Sequence, residues 1–336
     1  MFKRRAIATV IAGAVLLVAT SSFAQYAERT IKWTNGVNED HSVNVGVKKM
    51  QEVLNAKTGG KLKINAFWGG AAGGDLAGAQ AARAGTQEIV CTSGSALTGI
   101  VKELGVLDLP FLFNSEQEAY AVLDGPMGKY LNKKLEDAGL VNLGYWENGF
   151  RNLTNSRRPV GKVEDFDGIK LRVMQSTMYL DTFKTLGANP TPMAFGEVFT
   201  SLETKTIDGQ ENPFATIETA KLYEVQKYLS VTRHVYSPFF VLYSKKLWDQ
   251  LNPQEQAALR EAALEGQKVQ REASRAQDQK SLAILRTKGM LINDFPPSEK
   301  ARVMTALKPV YDKYVNSIGS EAYTLMTDSL KKARGG

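Results

Sequence analysis

A chain of 336 residues, 43% hydrophobic, 23% charged and 9% aromatic, is an ordinary globular mixture and long enough for two domains of roughly 100–200 residues. Its formal charge of +7 falls to +4 once Lys3, Arg4 and Arg5 are set aside with a removable leader. That is too little for the dense basic stripe of a dedicated nucleic-acid binder. The single cysteine, Cys91, excludes an intrachain disulfide and a Cys-based zinc site.

The chain opens with a basic cluster to Arg5, an apolar run from Ala6 to Ala19, and small residues around Ser22-Phe23-Ala24. This layout predicts a secretory signal peptide over 1–24, cleaved after Ala24. The apolar run is short of the ~20 residues needed to span a bilayer, and no cysteine follows it for lipid attachment. The mature protein is expected in the periplasm.

Ile31 and Trp33 begin a short strand, and Val43, Val47, Met50 and Leu54 follow at helical spacing until Gly59-Gly60. Leu62 to Trp68 alternates as a strand, Asp75 caps a helix running to Gly85, and Glu88 to Thr92 is another strand. Ser115 to Glu118 has capping-box form, and Pro126 suits a first helical position. Val141, Leu143 and Tyr145 alternate again. The rhythm restarts near residue 150. Ile169, Leu171 and Val173 share one face of a strand, with Lys170 and Arg172 on the other. Ser176 then caps a helix that ends at Gly187. Asn252 to Glu255 is a second capping box, and a proline-free polar pattern runs on to about Lys288, ~50 Å if wholly helical. The βαβ rhythm predicts an α/β fold with mostly parallel sheets. The long helix reads as a brace across two domains, between which the chain crosses more than once.

Catalytic chemistry is hard to find. There are two histidines, and no zinc-protease, nucleophile-elbow or P-loop pattern. His41 reads as a cap or solvated group near a helix start, His234 as a residue before an apolar strand, and Cys91 as an inert buried thiol. Gly69 to Gly74 reads as a tight turn. No metal site or cofactor is expected. Arg172 stands out, since ligands of open α/β sheets bind beyond the carboxyl ends of strands. Its planar fork matches a carboxylate there. An internal salt bridge to Asp181 or Glu197 fits the spacing equally well.

The segments GFRNLTNS, KLRV, NPTPMAFGEV and DGQENP, in that order, resemble the solute-binding proteins of tripartite ATP-independent periplasmic (TRAP) transporters, the DctP family. The resemblance covers essentially the whole mature chain. It implies a two-lobed α/β periplasmic binding protein (Venus-flytrap) fold, with a long helix spanning both lobes. Lobe I is 25–148 plus 237–277, and lobe II is 149–236 plus 278–336. It implies that Arg172 makes a bidentate salt bridge to a ligand carboxylate, with Arg151 as a second cation, Asn212 as an amide donor and Phe195 packed over the ligand. Gln175, Ser93 and Trp68 are further pocket positions, Trp68 with a core or rim role equally open. The implied partners are a small organic acid and the small and large membrane subunits of the transporter, with the binding protein a monomer. The stretches GGAAGGD and CTSGSAL depart from the charged positions of sialic-acid binders. DGQENP, rather than NGTENP, favours a hydroxylated monocarboxylate such as a sugar acid. A C4-dicarboxylate is the nearest alternative, followed by an exported sugar-acid enzyme or a sensor subunit.

Overall fold

The computed structural model describes residues 26–335, so the expected leader at 1–24 lies outside the described residues. Nine strands occur among the described residues: β1 (Arg29–Asn35), β2 (Leu62–Phe67), β3 (Ile89–Ser93), β4 (Leu140–Asn155), β5 (Lys170–Val173), β6 (Asn189–Pro192), β7 (Gly209–Asn212), β8 (Tyr228–Ser244) and β9 (Leu291–Asp294). They pair in the order β2-β1-β3-β8-β4-β7-β5-β6, with β9 added to β8. The flanking pairs are parallel, as the βαβ rhythm predicts. The centre differs: β3–β8, β4–β8 and β4–β7 are antiparallel.

The difference comes from two unusually long strands. The sequence suggests one strand around Val141–Tyr145 and a fresh start near 150, yet β4 is continuous for 16 residues and buried throughout. Glu147, Asn148, Arg151 and Asn152 are polar side chains with internal partners, and they disguise the strand. Three register shifts, at Asn142/Gly144, Glu147/Gly149 and Arg151/Leu153, further break its alternation. At the middle shift Gly149 has φ +119°, a conformation that side chains other than glycine rarely adopt.

Each half of the β4–β8 ribbon has its own neighbours. Ser93 to Ile89 of β3 pair with Phe239 to Tyr243 at one end of β8, and β9 pairs with Tyr228 to Val231 at the other. The last four residues of β4 take up β7. The ribbon therefore belongs to both lobes.

The predicted brace is a helix over Pro253–Thr287, 35 residues long, opened by the expected capping box. Glu255 N–H donates to Asn252 at 2.9 Å and Asn252 N–H returns to the Glu255 carboxylate at 3.0 Å. The helix crosses the helix Val43–Thr58 at Gly46 and Gly266, where an added Cβ on Gly266 would lie 2.9 Å from the Gly46 carbonyl oxygen and from the Trp146 ring. It then binds β4 by side chains that its polar sequence disguises. Gln270 exchanges hydrogen bonds with the Glu147 backbone at 2.8 and 2.7 Å, and Arg271 donates to the Tyr145 carbonyl. Near its far end Ser281 donates to Glu218, beside the helix Phe214–Thr219.

At the other predicted capping box, only half forms. Ser115 accepts from Glu118 N–H, but the Glu118 carboxylate turns to Asn114 N–H and pairs with Arg334. The last helix, Ser320–Ala333, packs on the helices Glu116–Leu123 and Pro126–Asp137, so the late helices lie back on elements from the first half of the chain.

Candidate functional site

A small cavity lies where β1, β3, β4, β5 and β7 end or bend, and an outer groove that shares Asp75, Arg172, Met174 and Phe195 with it continues outward. Arg172, Arg151, Asn212, Phe195 and Ser93 all line the cavity. Gln175 lines the outer groove instead, with Asp75, Arg172 and Phe195. Trp68 is half-buried beyond β2, packs against the core cluster around Trp33 and Trp146, and does not line the cavity.

Arg172 is the third residue of β5 and only 2% exposed. Its Nε and Nη2 donate to the Met193 carbonyl at 3.0 and 2.7 Å, and its guanidinium lies 5.8 Å from the Phe195 ring centroid. Among the described residues no carboxylate pairs with it. Asp181, a partner allowed by the spacing, is instead taken by Lys313 and Tyr314. Burial pushes the Arg172 pKa down to about 10, with Glu211 opposing the fall and Arg151 adding to it. It is still a cation at neutral pH.

Arg151 is different. Its Nε and Nη2 donate to the two carboxylate oxygens of Glu211, on the neighbouring β7, and Glu211 also accepts from His234 Nε2 at 3.0 Å. The Glu211 carboxylate can only accept, so it is His234 Nε2–H that donates to it, while the Thr232 hydroxyl lies 2.8 Å from Nδ1. Burial alone would raise the Glu211 carboxyl, but Arg151 and His234 outweigh it and bring it down to about 2. Arg151 thus reaches the cavity with its charge already matched, and Arg172 carries the unmatched one. Asn212 Nδ2 donates to Gln210.

Several lining residues carry no motif that marks them in the sequence. Asn35 ends β1; its Oδ1 accepts from Val37 N–H at 2.9 Å, and its buried Nδ2 has no partner among the described residues. Asp75 reads as a helix cap, but Gly74 is the cap and Asp75 opens the helix Asp75–Ala84 facing Arg172 across the groove. Burial raises its carboxyl, against Thr92, Arg172 and the Ser93 backbone. Asn148 accepts from Thr216 at 3.2 Å, and both line the cavity. Asn35 and Asn148 are marked only by a place at a strand end or bend, and Asp75 and Thr216 only by a place in the first turn of a helix. His41 is buried rather than solvated, accepts from Val43 N–H as a cap does, and has a pKa lowered to about 4 by burial.

Among the described residues no group of His, Cys, Asp and Glu is placed to hold a metal ion, and no helix is long and apolar enough to cross a membrane. A cavity at the strand ends, lined by a buried guanidinium that forms no ion pair among the described residues, has the chemistry to take a small anion. Residues 34–317 match the profile of the bacterial extracellular solute-binding proteins, family 7 (DctP), and the chain belongs to that family. It is 42% identical to the sugar acid binding protein DctPAm of Advenella mimigardefordensis, whose structure was solved in complex with galactonate. That comparison has a TM-score of 0.90 and covers 92% of this chain and 99% of the other. It is 38% identical to the 2,3-diketo-L-gulonate-binding periplasmic protein of Escherichia coli, over 79% of this chain and 80% of that one. A C4-dicarboxylate-binding protein of Bacillus subtilis is 32% identical, over 86% and 83%.

Proposed function

We propose that this protein captures a hydroxylated monocarboxylate of the sugar-acid type in the periplasm and delivers it to the two membrane subunits of a TRAP transporter. The observation that carries the reading is Arg172, a buried guanidinium that lines the cavity, is hydrogen-bonded only to the Met193 carbonyl and forms no ion pair among the described residues. The Met193 carbonyl fixes its Nε edge, leaving N–H groups on the other side for the ligand's carboxylate. Asn212 and Arg151 flank the same subsite, and Phe195 covers it. Water exclusion on closure strengthens such a pair, because the effective dielectric falls.

The other wall supports hydroxyls rather than a second acid. Asn35 offers an unused N–H and Asp75 an acceptor, whereas a second carboxylate would meet Asp75 as a like charge. This favours a sugar acid over a C4-dicarboxylate. The similar proteins that bind galactonate and diketogulonate support the same choice. In this reading lobe I comprises 25–148 with 237–277 and lobe II comprises 149–236 with 278 onward, the last helix lying back on lobe I. The protein works as a monomer and releases its ligand unchanged.

The test is calorimetric binding of D-galactonate to Arg172→Ala and Arg172→Lys. Losing one partner of a buried charge pair costs about 2–5 kcal/mol, so both variants are expected to lose at least ~30-fold in affinity. Lysine fails because it cannot reproduce the fork. Affinity near that of the wild type in either variant would sink the assignment.

A further inference from the structure

Asn148 lines the cavity from β4, at the register shift between Glu147 and Gly149. Its side chain is held from behind by a chain of three hydrogen bonds. His41 lies in the turn between β1 and the helix Val43–Thr58, and its Nδ1 accepts from Val43 N–H at 3.3 Å. Its Nε2 lies 3.4 Å from the Thr216 hydroxyl, and that hydroxyl donates to Asn148 Oδ1 at 3.2 Å. His41, Thr216 and Asn148 are each at most 3% exposed, so bulk water does not compete for these bonds. The Phe239 ring, which also lines the cavity, meets the His41 ring edge to face at 5.9 Å.

The three bonds allow one arrangement of protons. A backbone N–H can only donate, so His41 Nδ1 is unprotonated and the ring proton sits on Nε2. Nε2–H then donates to the Thr216 oxygen. The Thr216 proton is left to point at Asn148, whose carbonyl oxygen takes it. Turning the Asn148 amide over would set an N–H against that proton and leave it without an acceptor. Burial lowers the His41 pKa to about 4, so the ring is neutral near pH 7 and the order holds. The Asn148 amide nitrogen is turned away from Thr216 and makes no hydrogen bond among the described residues.

We propose that Asn148 is a further ligand-contacting residue, and that His41 and Thr216 are positioning residues that fix its amide so that it presents only N–H groups to the cavity. Asn148 then donates to a hydroxyl or keto oxygen of the captured acid. The contact rests on the proposed capture of a sugar acid; the orientation of the amide does not. An asparagine free to turn over serves as donor or acceptor alike, and the chain from Val43 removes that choice. Across the cavity Asn35 has the same polarity, since its Oδ1 is occupied by Val37 N–H. Two donors fixed in this way, on β1 and on β4, suit a ligand rich in oxygen lone pairs.

The first test needs no ligand. The chain has two histidines, so isotopic labelling of histidine nitrogen gives a magnetic-resonance spectrum of two rings, and His41→Gln identifies which is which. The His41 ring is expected to be neutral, with its proton on Nε2, from about pH 5.5 to about pH 8. A proton on Nδ1, or a ring that titrates within that range, overturns the orientation. This measurement uses the wild type and stands even where a variant folds poorly.

The second test is D-galactonate binding by calorimetry. Asn148→Ala is expected to lose about tenfold, and Asn148→Asp, which replaces the donor by an anion, about a hundredfold. Thr216→Val keeps the shape but frees the amide to turn, and is expected to lose about fivefold; Thr216→Ser, which keeps the hydroxyl, restores most of that loss. Added to Asn148→Ala, the valine is expected to cost nothing further, because Thr216 acts through Asn148. Additive losses in the double variant, or serine as damaging as valine, overturn the positioning role. A wild type that binds D-galactonate while Asn148→Ala binds it equally well overturns the contact alone. A wild type that binds no sugar acid overturns the capture reading and the contact with it, and the ring spectrum still decides on the orientation.

Discussion

Two arginines of the same subsite do different work because of one neighbouring residue. Glu211 on the adjacent strand matches the charge of Arg151, whereas Arg172 is held only by a carbonyl, and in the proposed reading it keeps its charge for a guest. The resemblance points to both positions, but the sequence cannot show which of them is already paired, because β4 and β7 meet only in three dimensions. Asp75 was hidden for a similar reason. At the start of a helix an aspartate reads as an ordinary N-terminal residue, and only the fold turns it toward Arg172. Its proposed part is to accept hydroxyl protons and repel a second acid. Asp75→Asn is expected to weaken D-galactonate by about tenfold and to strengthen succinate, as measured by calorimetry. Unchanged preference between the two would remove Asp75 from the selectivity.

Among the elements, those with local signals were legible. The long helix has its capping box, and β5 shows its alternation in Ile169 to Val173. The 16 residues of β4 were not legible as one strand, because bulges shift the side-chain alternation and the buried polar side chains are satisfied by distant partners, Glu147 by Tyr236 and Arg151 by Glu211. The helix crossing at Gly46 and Gly266 was equally silent, since a glycine required by close approach looks like any other. Here the backbone of one helix and the Trp146 ring leave no space for a methyl group. Gly266→Ala is expected to cost about 1–3 kcal/mol of stability by overpacking, read as a lower urea midpoint. A midpoint unchanged from the wild type would show that the crossing relaxes freely.

For the whole molecule, buried ionisable groups set the pH dependence of stability. Burial, with further contributions from nearby acids, raises Glu147 to about 7 and Asp278 to about 6, and Asp108 behaves alike. These acids hold protons that the unfolded chain has released, so their contribution is full in mild acid and lost as pH rises through those values. His41, lowered to about 4 by burial, acts in the opposite sense over part of that range, one group against three. Glu211, lowered to about 2, contributes fully above its ordinary value of 4.5 and less as pH falls toward 2. Calorimetry should therefore find the highest unfolding temperature near pH 5, with lower values at about pH 3 and about pH 7.5. A maximum on the alkaline side of neutrality would contradict the balance. The two-lobed plan itself was legible through the family's motifs, but the route of the chain through it was not. The antiparallel centre depends on pairings between segments far apart in the chain, from Asn155 with Gly209 to Ile89 with Tyr243, which no local pattern records.

The crossing ribbon has a further consequence. Most two-lobed proteins are pictured as separate bodies on a flexible tether, each free to melt alone. Here the segments that bend are themselves rungs of the ladder, with β4 bonded to β8 from Leu140 to Asn155 and the brace helix fastened alongside. Fraying one lobe would unzip the edge on which the other is templated, so a single cooperative melting transition is expected in calorimetry, and two separate transitions would contradict it.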